Sequence, residues 1–336
     1  MANELRWGVL STARIGRLKV VPGIQRAERC RVVAVASRDR ARADSFAASL
    51  DIPRVHDSYE SLLADPEVDA VYVPLPNHLH AEWSIAAARA GKHVLCEKPL
   101  ALTAGEAERI FDVAEAEGVR VMEAFMYRLH PSWVAVRELV SAGRIGDLVA
   151  VQSWFGFWND DAADIRNVRA FGGGALYDVG CYCINLSRML FGGEPRRVES
   201  AIVRDPTSGV DVLTSAILEF DAGLASFTCS IRSEDDQRVH VYGTKGRISL
   251  AIPFNIPPDR PTVVEVTSGG DAPVAPLTET LMFAAADPYT VEAAAFAAAV
   301  LDGRPLPTSP EDAIANLRVI EAVFAAAAGT TAAPIG

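Results

Sequence analysis

At 336 residues the chain exceeds the usual single core and suits two domains. Half of its residues are hydrophobic, which supports a large core and excludes wholesale disorder. A formal net charge of −11 excludes nucleic acid as the main partner, because phosphate binding needs a basic surface, although a local basic pocket for one nucleotide phosphate remains compatible with it.

The N-terminal third alternates short apolar runs with amphipathic segments. Strands are expected at Arg6 to Leu10, Val32 to Ala36, Ala70 to Pro74, His93 to Cys96 and Val119 to Glu123. Helices are expected at Ile15 to Gln25, Arg40 to Leu50, Tyr59 to Ala64, Ala81 to Ala90 and Ala104 to Glu117. This alternation predicts an α/β fold whose parallel sheet carries helices on both faces and binds ligands at the carboxyl ends of its strands. The turns after Val73, after Cys96 and after Met122 gather at that edge. The pattern changes after His130. A helix from Ser132 to Ala142 precedes strands at Asp147 to Phe157, Arg196 to Val203, Val210 to Phe220, Leu224 to Ile231, Arg238 to Gly243, Arg247 to Ala251 and Thr262 to Val266. Turn signals between them suggest an antiparallel sheet. One helix, Gly174 to Phe191, interrupts it, and helices at Tyr289 to Leu301 and Pro310 to Ala327 close the chain. The domain boundary is expected near 123–130, with residues 1–125 as a dinucleotide-binding domain and 126–336 as a substrate-binding and oligomerisation domain.

The five cysteines are odd in number and lack metal-ligand spacing, so no metal is expected and buried thiols in a reducing cytosol are the reading. No apolar run reaches the ~18–20 residues of a membrane span, and no secretion-signal pattern opens the chain. The expectation is a soluble, cytoplasmic protein with no membrane partner.

The first strand runs into Ser11-Thr12-Ala13-Arg14-Ile15-Gly16, a degraded dinucleotide turn. Ser11 and Ala13 stand where the first two glycines belong, and Gly16 is the third. Both replacements are small, so the backbone can still approach a pyrophosphate at the positive end of the following helix. The second strand ends in Ser37-Arg38-Asp39. A hydroxyl and a fixed cation suit a 2′-phosphate, with Arg42 as a second charge, so NADP is favoured over NAD. A solvated helix start is the bland alternative.

Two motifs carry chemistry. Glu97-Lys98-Pro99 follows a buried strand and puts a lysine where it can reach a nicotinamide site. Gly172-Gly173-Gly174-Ala175-Leu176-Tyr177-Asp178-Val179-Gly180-Cys181-Tyr182 opens a helix, with Asp178 and Tyr182 at i and i+4 on one face. Hydride exchange at a carbinol carbon requires one proton moved at the oxygen, and a tyrosine near a lysine has its phenolate favoured. Taken alone, Tyr182 also reads as a core tyrosine.

With Pro76-Asn77-His78, His80 and Met122 to Arg128, these motifs resemble those of the Gfo/Idh/MocA oxidoreductases over about the first 190 residues. The resemblance implies a Rossmann domain followed by an α/β domain with an open, mostly antiparallel sheet that often forms the oligomer interface, as a homodimer or homotetramer. It implies that Lys98 contacts nicotinamide ribose and substrate oxygen. Many members carry a histidine where this chain has Tyr182 and an acid where it has Asn185, so the chain resembles the tyrosine branch. That branch includes glucose–fructose oxidoreductase, dimeric dihydrodiol dehydrogenases, NADP-dependent xylose dehydrogenases and ketosugar reductases. Weaker expectations put Pro74, Asn77, His80, Glu97 and Arg166 at the cofactor, Asn77 and His80 serving equally as turn or helix caps. The expected reaction interconverts an alcohol or hemiacetal and a carbonyl on a sugar or cyclic polyol. Lys98, Tyr182 and Asp178 are its catalytic groups. The rivals are a trans-dihydrodiol dehydrogenase and a non-catalytic NADP-sensing regulator.

Overall fold

The computed structural model describes residues 4–269 and 277–329, which divide into two compact units. The first runs to His130 and regains the chain over Ala286–Ile314; the second takes Pro131–Ala285 and everything described from Ala315 onward.

The first unit holds a parallel six-stranded sheet of β1 (Leu5–Leu10), β2 (Cys30–Ala36), β3 (Arg54–His56), β4 (Ala70–Val73), β5 (His93–Glu97) and β6 (Val121–Ala124). Their spatial order is β3-β2-β1-β4-β5-β6, so the order reverses at β1/β4 and opens a crevice beyond the strands' carboxyl ends. The strands are nearly all apolar because helices cover both faces. These are α1 (Val21–Arg26), α2 (Arg40–Ser49), α3 (Tyr59–Leu63), α4 (His80–Arg89) and α5 (Ala104–Glu117). Side chains start them: Asp39 accepts from Arg42 N, Ser58 and Ser61 form a capping box, and Thr103 accepts from Glu106 N. Gly118, at φ 66°, ends α5 in the left-handed conformation.

The helix α8 (Pro288–Asp302) belongs to this unit. Its Phe296 ring lies 5.3 Å from that of Trp7 on β1, Ala293 and Ala297 share the core with Ile24, and Arg29 pairs with Asp302 at 2.8 Å. A single cut at 125/126 therefore misses this return. An apolar helix is claimed by whichever sheet face lacks cover, and sequence order does not decide which.

The second unit builds an eight-stranded sheet from β7 (Leu148–Trp158), β8 (Arg197–Arg204), β9 (Asp211–Phe220), β10 (Gly223–Ser230), β11 (Arg232–Gly243), β12 (Gly246–Leu250), β13 (Thr262–Ser268) and β14 (Leu277–Phe283). The order is β14-β13-β12-β11-β7-β10-β9-β8, antiparallel throughout except for β10 beside β7. That parallel pair follows from the long crossover through α7 (Cys181–Phe191), β8 and β9. α7 is almost wholly buried. α6 (Pro131–Ser141) precedes the sheet, and α9 (Pro310–Gly329) ends the described chain. No helix among the described residues is long and apolar enough to cross a membrane.

Candidate active site

The loop after β1 keeps the geometry of a dinucleotide turn without its first glycine. Ser11 adopts φ 136°, a region that favours glycine, and its Oγ accepts from Ala13 N at 3.0 Å. Ser11, Thr12 and Ala13 are half-buried; Arg14 and Ile15 are exposed as the helical segment begins. A Cβ on Gly16 would lie 3.5 Å from the Tyr72 ring, so the third position packs helix against strand. At the end of β2, Ser37 is buried and its Oγ accepts from Asp39 N at 3.2 Å. Arg38 is exposed beside the Tyr59 phenol, whose pKa rises through burial while the hydrogen bond and charge of Arg38 oppose the rise. Arg42 is exposed and pairs with Asp39 at 3.3 Å. An open turn, a helix start and an exposed guanidinium beyond β2 fit a phosphorylated dinucleotide.

Beyond β4 and β5 the two turns are tied together. Pro74 is buried, and half-buried Asn77 opens a 3₁₀ turn, Asn77–Leu79. His80 has no exposed surface. One ring nitrogen lies 2.7 Å from Leu75 O and the other 2.8 Å from Pro99 O. Burial, with a smaller push from the Lys98 charge, lowers its pKa to about 4 against the two carbonyl contacts, which favour the protonated ring. His80, expected at the cofactor cleft or equally as a turn or helix cap, is buried and braces the two turns. Glu97 accepts from Tyr72 Oη at 2.5 Å, and Glu123 Oε1 accepts from Leu100 N at 2.8 Å. Half-buried Lys98 thus sits in a segment anchored on both sides. From α8, Tyr289 and Glu292 face the Glu97 charge; burial, then that charge, raises both their pKa values. Arg128 forms an ion pair of 2.5 Å with Asp312.

In the second unit the glycine block bends under Arg166. Gly174 N donates to Arg166 O at 2.9 Å, and a Cβ on Gly173 would stand 2.5 Å from that oxygen. Arg166 Nε donates to Asp178 at 2.7 Å, and its Nη1 lies 3.3 Å from Asp164. Arg166, expected at the cofactor, is therefore seen holding Asp178. Asp178 lies in a π-helical turn, Leu176–Gly180, and Tyr182 in the first turn of α7. Such turns recur at functional sites. Tyr182 is 5% exposed, with its ring 5.6 Å from Phe155 and 5.4 Å from Phe254.

Two family descriptions match these units. "Oxidoreductase family, NAD-binding Rossmann fold" covers residues 5–125, and "GFO/IDH/MocA C-terminal domain" covers 133–249. The chain belongs to the Gfo/Idh/MocA oxidoreductase family. Among curated relatives, a D-xylose 1-dehydrogenase (NADP(+)) of Haloferax volcanii is 42% identical over 325 residues, 96% of this chain and 97% of the relative. A trans-1,2-dihydrobenzene-1,2-diol dehydrogenase of Mus musculus is 38% identical over 251 residues, 73% of this chain and 74% of that one. Among solved structures, the 3-ketoreductase KijD10 of Actinomadura kijaniata, in complex with NADP and TDP-benzene, superposes with a TM-score of 0.90 at 32% identity, covering 96% of this chain and 98% of its own. Variants of KijD10 with a substituted lysine or tyrosine have also been solved. As a Gfo/Idh/MocA member the chain is an enzyme acting on CH–OH groups, within a family of sugar and polyol oxidoreductases.

Sequence reasoning passed over Tyr72, Tyr289 and Glu292. Tyr72 left a signal as the one residue with a polar tip in the run Ala70 to Val73. Glu292, the one glutamate of an alanine-rich helix, left none.

Proposed function

We propose that this chain is an NADP-dependent oxidoreductase that interconverts an alcohol or hemiacetal and a carbonyl on a sugar or related cyclic polyol. The observation that carries the reading is the joint presence of an anchored Lys98 and of Tyr182 at the start of α7. The lysine and tyrosine substituted in KijD10 are as far apart in sequence as Lys98 and Tyr182. When bound, the cofactor would supply or take up a hydride at carbon. Ser11, Thr12, Ala13, Arg14 and Ile15 would hold its pyrophosphate side, Ser37 and Arg38 its 2′-phosphate, and Pro74, Asn77 and Glu97 the nicotinamide side. In reduction Tyr182 gives a proton to the substrate oxygen, and Lys98 polarises that oxygen and favours the phenolate left behind. Asp178, fixed by Arg166, orients the substrate. Oxidation reverses these roles, with Tyr182 as base.

The test pairs cofactor titration with turnover of D-xylose, ketosugars and dihydrodiols. Lys98→Ala and Tyr182→Phe should each bind NADPH within a few-fold of wild type and lose at least about 100-fold in kcat. An unimpaired Tyr182→Phe removes the tyrosine from its role. Arg38→Ala should weaken NADPH by about 10- to 100-fold and leave NADH nearly unchanged; equal losses refute the 2′-phosphate assignment. The dihydrodiol relatives give a second reading, which turnover of a dihydrodiol in preference to every sugar would favour.

The second copy expected of such enzymes has a face to use. Gln152, Trp154, Ser215, Ile217, Thr228 and Arg238, alternate residues of adjacent strands, line an open concavity of about 1200 Å³ on the sheet. We assign a homo-oligomer contact to it.

A further inference from the structure

The glycine block that leads into Asp178 and Tyr182 ends on a carboxylate from elsewhere in the second unit. Asp211 is the first residue of β9 and is 1% exposed. Its Oδ2 accepts from Leu176 N at 2.7 Å, the first amide of the π-helical turn, and from Thr214 Oγ1 at 3.0 Å. Its Oδ1 lies against Gly174, where a Cβ would overlap it. Gly174 has φ +121°, so only a glycine both fits this contact and adopts this backbone without strain. The carboxylate thus replaces an N-cap that Ala175 cannot supply.

We propose that Asp211 is a positioning residue for the reaction: its ionised carboxylate fixes the turn that presents Asp178 and Tyr182. The inference rests on the catalytic roles assigned above to those two residues. An anion at a helix start is favoured by the backbone amides and the helix dipole. Here it is held at a cost, because burial pushes the Asp211 carboxyl up to about 6 despite both hydrogen bonds and the charge of Arg204 on β8. The other titratable group against it is the Cys229 thiol on β10, itself raised well above its ordinary range by burial and by the neighbouring Cys183, Asp211 and Cys181. Cys229 stays protonated at neutral pH and adds no charge. Of these groups only Asp211 changes charge between about pH 5 and 7.5.

The experiment follows backbone hydrogen exchange over residues 172–182 by mass spectrometry, in wild type, Asp211→Asn and Asp211→Ala, at about pH 5 and about pH 7.5, each rate divided by its unstructured value. Wild type should show several-fold more protection at the higher pH. Asp211→Asn should lose that difference, and Asp211→Ala should lose protection at both. A difference retained in Asp211→Asn, or equal protection in wild type at the two pH values, overturns the proposal. Kinetics supply the second arm, with D-xylose and NADP⁺ as the probe. The acid limb of kcat near pH 6 should vanish in Asp211→Asn and kcat should fall about tenfold, while KM for NADP⁺ stays within twofold. An unchanged kcat and acid limb also overturn it. Wild type inert toward D-xylose counts against the sugar reading alone, and the exchange measurement then decides on Asp211.

Discussion

Glu292 brings a carboxyl into the apolar interior of the first unit, 2% exposed, on a helix whose neighbours are alanines. Burial and the Glu97 charge raise its pKa well above the ordinary value, so the folded state holds a proton that the unfolded state releases. For an acid with a raised folded pKa, the stability it contributes is complete below the unfolded pKa and is lost as pH rises toward the folded one. Glu292→Gln should therefore gain on wild type as pH rises above the carboxyl range, by at most about 1.4 kcal/mol per pH unit. Thermal midpoints of both proteins at about pH 5 and 8 check this; parallel midpoints would show that the carboxyl ionises freely. Such a residue is nearly invisible before the fold is known, since one glutamate in a helix reads as surface. Lys98, by contrast, was legible because its flanking residues and the strand before it restrict where a lysine can point.

At the scale of elements, the hydrophobic periods of the six-stranded sheet's strands and helices survive folding to within a few residues. Two kinds of element did not announce themselves. β3 has three residues, too few to display a period of two, and β14 is largely exposed, with threonines and a glutamate among its apolar positions. The start of β11, expected at Arg238, reaches back to Arg232 through a polar run with a register shift, because hydrogen bonding to β7 continues where apolar alternation does not. The π-helical turn Leu176–Gly180, seated on Asp211, is likewise illegible, because nothing in its hydrophobic period distinguishes it from an α-helix. Gly174→Ala tests how far that turn depends on its glycine. A Cβ at positive φ that also overlaps a buried carboxylate should cost about 2–4 kcal/mol, read as a lower thermal midpoint of the second unit. A midpoint shifted by less than a degree would mean that the turn relaxes freely.

For the whole molecule, the open face of the eight-stranded sheet matters most. Ile217 on β9, 45% exposed, is an apolar side chain lining the concavity on that face. Ile217→Glu should shift sedimentation from oligomer toward monomer by burying a charge at the contact, while each monomer stays folded. A wild-type chain that sediments as a monomer at micromolar concentration would remove the assignment. The return of α8 to the first unit carries a different consequence, one of timing. Trp7 and Ile24 leave the ribosome early, and their partner Phe296 follows only after the whole second sheet has been made. At cellular elongation rates that gap is roughly fifteen to sixty seconds. During it the nascent sheet presents an uncovered tryptophan face, so the first unit stays open to misassembly and chaperone capture until α8 arrives as the latch that closes it.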